Sequence, residues 1–256
     1  MISNNHKDKS QAEQQKFYSD ISQAYSNLFP FNQAQFHFVG KTLGSFAEKR
    51  ILDLGCGTGD LSLRMAEEGA WVEAIDLNVD FIEMAKSKNN HPAINYREMD
   101  MLDIGKPFPP GFFDCVTCFG NTLVHLTSLA QISELIKLVY GLLKEGGWLL
   151  IQILNYDYIL GEKVGELPLI ETSHEKFIRR YFFPENERHI RFNTELIFKN
   201  TGESVVNETT LLPVKKNELV DLLQLNRFTS IGLFADFNRN PAGGGHLPLV
   251  VSCRKG

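Results

Sequence analysis

From Phe17 to Leu154 the apolar residues of this chain alternate between two rhythms. Phe17, Ile21, Ala24 or Tyr25, and Leu28 recur at helical spacing and stop near Pro30. Phe36, Val39, Leu43 and Phe46 repeat that spacing ahead of Arg50. A continuous apolar run then fills 51–54 and ends in glycines, which predicts a buried strand by its length and flanks. A helix follows over 61–69, closed by Gly69, then a strand over 71–76 and a helix over 79–88. Runs at 94–101, 113–119 and 148–154 read as strands, with a long amphipathic helix over 128–144 between the last two. Strict strand–helix alternation predicts a parallel sheet covered on both faces, a doubly wound α/β architecture.

After about residue 160 the rhythm changes. Segments 174–183, 189–200 and 203–213 are consecutive strand-like runs separated by Pro184-Glu185-Asn186 and Thr201-Gly202. They predict a small antiparallel meander inserted at about 161–213. A helix over 215–226 and strands over 230–236 and 247–253 complete the pattern, the last two joined by a Gly/Pro-rich loop. Residues 1–12 carry no apolar periodicity, so a flexible tail is expected over 1–14 and a single domain over 15–256.

Composition narrows the function classes. The 256 residues carry 31 acidic against 26 basic side chains, a formal net charge of −5, which argues against a protein built to coat nucleic acid. Apolar runs fall short of the ~18 residues a membrane span needs, so no membrane partner is expected. Residues 1–16 lack the apolar stretch of a secretory leader, and a cytoplasmic location is expected. Four scattered cysteines are too few for a disulfide framework. Cys115-x-x-Cys118 has metal or redox spacing, but it lies inside a strand with no second pair or nearby histidine, so no metal site is expected.

The densest chemistry follows the first strand. In Asp53-Leu54-Gly55-Cys56-Gly57-Thr58-Gly59, glycines at alternate positions allow a tight turn and let a ligand lie on bare main chain. The spacing is Gly-x-Gly-x-Gly rather than the Gly-x-Gly-x-x-Gly of dinucleotide folds. An anion at Asp53 repels a pyrophosphate and suits a ligand with a positive end. The second strand ends in Asp76, placed to accept both hydroxyls of a ribose, with Asn78 and Asp80 available to cap the next helix instead. Asp100 ends the third strand at the ligand-facing edge of such a sheet. It could take an adenine amino group while the Met101 N–H meets a ring nitrogen; singly, such an acid is more often a solvated loop residue.

Asp53–Gly59, Asp76, Asp100-Met101 and the order of elements resemble the class I S-adenosylmethionine-dependent methyltransferases over most of 15–160. The resemblance implies a doubly wound, mostly parallel seven-stranded Rossmann-like sheet with the β insertion as a substrate lid. It implies S-adenosylmethionine as cofactor and a small-molecule acceptor as partner, and leaves the oligomeric state open. Asp53, Gly55, Gly57 and Gly59 would then hold the methionine moiety, Asp76 the ribose, and Asp100 and Met101 the adenine. Leu77 would pack on the adenine face, with Phe119 beside the cofactor at the end of the fourth strand.

The segment after Phe119 lacks the Asp/Asn-Pro-Pro-Tyr/Phe of DNA amino-methyltransferases and the paired glutamates of protein arginine methyltransferases. Gly120-Asn121-Thr122, His125-Leu126 and Asn155-Tyr156-Asp157-Tyr158-Ile159-Leu160 are instead similar to the glycine N-methyltransferase group. That group has a β-rich insertion and an N-terminal arm contributing tyrosines, a role the likeness passes to Tyr18 and Tyr25. Where the group has a carboxylate-binding arginine before Asn-Tyr-Asp, this chain has Leu154. A leucine cannot orient a carboxylate, so glycine is not expected as acceptor unless Arg179 replaces the missing cation from across the pocket.

Transfer from a sulfonium is an in-line displacement governed by near-attack geometry, with a base needed only for a protonated nucleophile. Asn121 is the candidate for orienting substrate and Tyr156 for lining the pocket. His125 is the candidate base, or equally a cap at the following helix. In the insertion, Arg179 shares a strand face with Phe177 and Tyr181 while Arg180 points away. Charges there are commonly the solvated face of an insert. Gly243-Gly244-Gly245-His246 precedes a strand, which makes it a loop rather than a phosphate site. A nicotinamide-dependent oxidoreductase and a non-catalytic S-adenosylmethionine-binding module are the alternatives.

Overall fold

The computed structural model describes residues 15–22 and 24–256; the tail expected over 1–14 lies outside the described residues. The elements are α1 (15–22 and 24–28), α2 (Gln33–Leu43), β1 (Arg50–Leu54), α3 (Asp60–Glu67), β2 (Trp71–Asp76), α4 (Val79–Lys88), β3 (Ile94–Glu98) and β4 (Phe113–Cys118). They continue through α5 (Leu129–Leu142), β5 (Leu143–Leu154), α6 (Tyr156–Gly161), β6 (Ile170–Glu171), β7 (Glu175–Phe182), β8 (Ile190–Phe198), β9 (Ser204–Leu211), α7 (Lys216–Leu225), β10 (Phe228–Phe234) and β11 (Pro248–Lys255).

A seven-stranded sheet runs β10-β11-β5-β4-β1-β2-β3. β11 is antiparallel to both neighbours, and the pairs among β1 to β5 are parallel. Helices cover both faces, and side-chain parity explains the apolar runs. Leu52 and Leu54 of β1 enter one core with Val116, Leu149 and the α5 residues Ile132, Leu135 and Ile136. Ile51, one position out of phase, enters the opposite core with Phe38, Val39, Met65, Cys115 and Leu150. Each such buried side chain contributes on the order of 1.5–3 kcal/mol. Strand order reverses between β1 and β4, and their carboxyl ends open the crevice where ligands bind in this architecture.

The insertion forms a second, four-stranded antiparallel sheet in the order β6-β7-β8-β9. Helix α1 packs on it: Phe17, Ile21, Ala24 and Leu28 bury against Phe177 and Leu196. Several local boundaries differ from the sequence pattern. β3 ends at Glu98, so Asp100 does not end the strand as expected but caps the 3-10 turn that follows, its side chain accepting from Leu102 N–H. α2 stops at Leu43 because Gly44 turns left-handed (φ 77°), and Phe46 is buried from the following turn. α5 ends at Leu142, two residues early, since Gly146 (φ 74°) and Gly147 interrupt the segment that starts β5. β6, two residues long, carries no periodicity to read. Among the described residues, no helix is long and apolar enough to cross a membrane, and no group of metal-binding side chains converges.

Candidate active site

The glycine turn is held in shape by β2. The Gly55 and Cys56 N–H groups donate to the Ile75 carbonyl at 2.8 and 3.0 Å, and Gly57 N–H donates to Asp76 Oδ2 at 2.9 Å. Gly55, Gly57 and Gly59 all take positive φ (70°, 54° and 82°), a region that L side chains avoid. Their surroundings differ. A Cβ on Gly55 would lie 2.6 Å from the Thr122 side chain, and one on Gly59 would lie 2.5 Å from the Tyr96 hydroxyl. One on Gly57 would meet the Tyr25 ring at 3.5 Å, an ordinary contact across the cleft.

Asp53 is buried, and both carboxylate oxygens are engaged. Ser62 Oγ donates to Oδ2 at 2.6 Å and Thr117 Oγ1 donates to Oδ1 at 2.7 Å, which ties α3 and β4 to β1. Burial pushes its pKa up, opposed by those two hydroxyls. Asp76 accepts from Gly57 N–H and from Asn78 N–H, each at 2.9 Å. Burial pushes its pKa up to about 6 despite these backbone donors. Asn78, rather than Asp76, caps α4 through Phe81 N–H, and its amide donates to the Gln15 carbonyl and Ser19 Oγ of α1. Asp100 Oδ1 accepts from Leu102 N–H and caps the 3-10 turn Met101–Asp103.

On the other side of the crevice, Asn121 stands at φ 66° after β4. Its Oδ1 accepts from Leu154 N–H at 2.9 Å and its Nδ2 donates to the Tyr156 hydroxyl at 3.0 Å, so it clamps the end of β5 to α6. Gln152 Oε1 accepts from Gly120 N–H. Tyr18 of α1 reaches His125 with 2.9 Å between its hydroxyl and Nε2. Burial pulls the imidazole pKa down to about 4, so His125 is neutral near pH 7; burial raises the Tyr18 phenol.

Two adjoining spaces result. Tyr18, Tyr25, Gly55, Gly57, Gly120 and His125 form walls of both. The first also has Asp76, Leu77, Asp100 and Met101 in its lining. It measures about 80 Å³ because Tyr18, Tyr25 and Phe81 crowd together, with ring centroids of Tyr25 and Phe81 4.6 Å apart. The second, about 470 Å³, is bounded by Asp53, Phe119, Asn121 and Leu154, by α1, and by Phe177, Arg179, Tyr181 and Phe192 of the second sheet.

Of the candidate catalytic and cofactor-binding residues, Gly59 and Tyr156 line neither space. Gly59 starts α3 against Tyr96, and Tyr156 is fully buried behind Asn121. Residues without a motif also enter the walls: Gln15, Phe81, Leu102 and Gln152. Arg179 is a wall residue and not part of a solvated face, because α1 and Phe29 pack on its side of the sheet. Arg180 does turn outward, pairing with Glu166 and Glu195 at 2.9 and 3.5 Å.

Residues 51–147 match the family model described as a methyltransferase domain. The chain is 31% identical over 153 residues to the ubiquinone biosynthesis O-methyltransferase of Bordetella pertussis, covering 57% of this chain and 61% of that protein. It is 35% identical over 123 residues to the glycine N-methyltransferase of Rattus norvegicus, covering 43% and 42% respectively. The chain spans about half the length of the curated relatives it matches. An S-adenosylmethionine-dependent methyltransferase structure from Clostridium acetobutylicum shares the fold with a TM-score of 0.76, at 15% identity, over 93% of this chain and 99% of that one.

Proposed function

Since this chain carries a class I S-adenosylmethionine-dependent methyltransferase domain, we propose that it transfers the methyl group of S-adenosylmethionine to a nitrogen or oxygen of a small molecule. The observation that carries this reading is the convergence of bare glycine main chain, Asp76 and Asp100 on one crevice at the carboxyl ends of β1 to β4.

The donor and acceptor set fits the cofactor. Asp76 has a carboxylate with about four acceptor sites, and its backbone donors leave lone pairs for ribose hydroxyls. Asp100 and Met101 would read the adenine, with Leu77 packed on its face. Asp53 and the Gly55–Gly57 main chain would meet the positively charged methionine end, and Phe119 would border it. Gly59 acts behind the loop by letting α3 start against Tyr96. The Tyr18 and Tyr25 rings of α1 are walls of both spaces, so the cofactor would extend from one into the other past α1.

Bound S-adenosylmethionine supplies a methyl already activated by a sulfonium. The chain contributes placement and exclusion of water. Asn121 and Tyr156 fix the end of β5, so Leu154 presents an apolar wall to the acceptor. The second sheet and α1 close over the larger space as a lid. His125, with its pKa near 4, is a weak base at neutral pH. The site therefore suits an acceptor whose nucleophilic atom arrives unprotonated or needs little proton removal.

S-adenosylhomocysteine and S-adenosylmethionine are expected to raise the melting temperature, as a ligand of the folded state alone stabilises by about 2.7 kcal/mol at 100-fold over Kd. NAD and NADP are expected to leave it unchanged. A shift with NAD and none with S-adenosylhomocysteine would turn the reading to an oxidoreductase.

A further inference from the structure

Arg179 is a cation without a counter-ion in the wall of the larger space. Its side chain makes one hydrogen bond, from Nη2 to the Pro168 carbonyl at 2.7 Å. Its Nε is buried and has no partner. Among the described residues no carboxylate pairs with it, and burial lowers the guanidinium pKa with only the Tyr181 phenol opposing. The guanidinium still remains charged at neutral pH. Its nearest rings are those of Phe29 and Phe177, each 6.0 Å from the guanidinium carbon. Arg180, the next residue on the same strand, satisfies itself with two glutamates.

An unpaired cation in such a place is costly, while a planar fork with vacant donors matches a carboxylate. The same space is also lined by the apolar and aromatic side chains Leu154, Leu167, Phe177, Phe192 and Leu211, alongside the polar Asn121, His125 and Gln152. Resting on the methyltransferase reading above, we propose that Arg179 recognises the methyl acceptor by pairing with an anionic group of carboxylate type, carried on an apolar or aromatic body. The cofactor's own carboxylate is the other source of that chemistry. The acceptor is the assignment because Arg179 shares its wall with Leu154 and Tyr181, whereas the glycine-turn end of the space already holds the acids Asp53 and Asp60. Leu154 therefore does not exclude a carboxylate acceptor; it moves the anion to the lid side of the space.

The test compares acetate, benzoate and 3-phenylpropionate with acetamide, benzamide and 3-phenylpropionamide, by calorimetry at millimolar concentration, with and without saturating S-adenosylhomocysteine. The aromatic acids are expected to bind at least tenfold more tightly than their amides. Arg179→Leu is expected to bring that ratio to about one, Arg179→Lys to keep part of it, and both to bind S-adenosylhomocysteine within about twofold of wild type. Arg179→Leu is also expected to melt no lower than wild type without ligand, since it removes a half-buried charge whose Nε has no partner. Equal binding of acids and amides, no binding of either, or loss of S-adenosylhomocysteine affinity in Arg179→Leu overturns the proposal. Failure of wild type to bind S-adenosylhomocysteine overturns the underlying reading instead, whatever the acids do.

Discussion

Asp76→Ala is expected to weaken S-adenosylhomocysteine binding by about 1.5–3 kcal/mol, roughly 10- to 150-fold in Kd, while the protein still folds. Hydrogen bonds to a charged group fall in that range, and the residue ends β2 at the cleft rather than inside a core cluster. The same carboxyl makes wild-type affinity pH-dependent. Its pKa is raised from 3.8 to about 6 in the ligand-free fold, and ribose hydroxyls donate to the ionised form. Affinity is therefore expected to fall by up to roughly tenfold per unit below pH 6, and Asp76→Ala to flatten that slope. The sign for stability is opposite. A carboxyl with a raised folded pKa stabilises below its unfolded value and loses that contribution as pH rises through about 6. Wild type is accordingly expected to lose more stability than Asp76→Ala between pH 5 and pH 8. Calorimetry across pH 5 to 8 checks the first pair of outcomes and thermal melts the last. Unchanged affinity in Asp76→Ala would make Asp76 only a clamp on the glycine turn.

The glycines of the turn are expected to separate into two kinds. Gly59→Ala places a methyl 2.5 Å from the Tyr96 hydroxyl at φ 82°. Left-handed strain and overpacking together cost about 2–5 kcal/mol, which lowers the melting temperature by roughly 5–15 °C in a chain of this length. Gly57→Ala, at φ 54° with its nearest neighbour at 3.5 Å, bears the backbone strain alone, about 1–2 kcal/mol. Its methyl projects into the crevice opposite Tyr25, so cofactor affinity is expected to drop at least tenfold in a folded protein. Melting curves and S-adenosylhomocysteine titrations on the two variants distinguish these effects. Equal loss of stability and binding in both would remove the distinction.

The turn also shows what a sequence can carry. The three glycines are equivalent as a pattern, and the strand–turn–helix around them follows from local rhythm. Which glycine faces ligand and which faces Tyr96 depends on β3, more than thirty residues away. The parity that puts Arg179 with Phe177 and Tyr181 was legible in β7. Which face of β7 is covered was not, because α1 covers it from the other end of the chain. Asn121 read as a substrate-orienting side chain; its amide is spent on Leu154 N–H and Tyr156, partners that become neighbours only when β4 and β5 pair. Gln15 reaches Leu77 and Asn78 across 62 and 63 residues, with no motif to announce it.

The most direct measurement of the central claim is methyl transfer itself. Purified protein is incubated with methyl-labelled S-adenosylmethionine and a low-molecular-weight fraction of cell extract, and labelled products and S-adenosylhomocysteine are quantified together by mass spectrometry. The account predicts label in a small molecule bearing an anionic group, in equal amount to the S-adenosylhomocysteine formed, and abolished in Asp76→Ala at limiting cofactor. Binding of S-adenosylmethionine with no S-adenosylhomocysteine above background, across the whole fraction, would contradict it and leave a binding module in place of an enzyme.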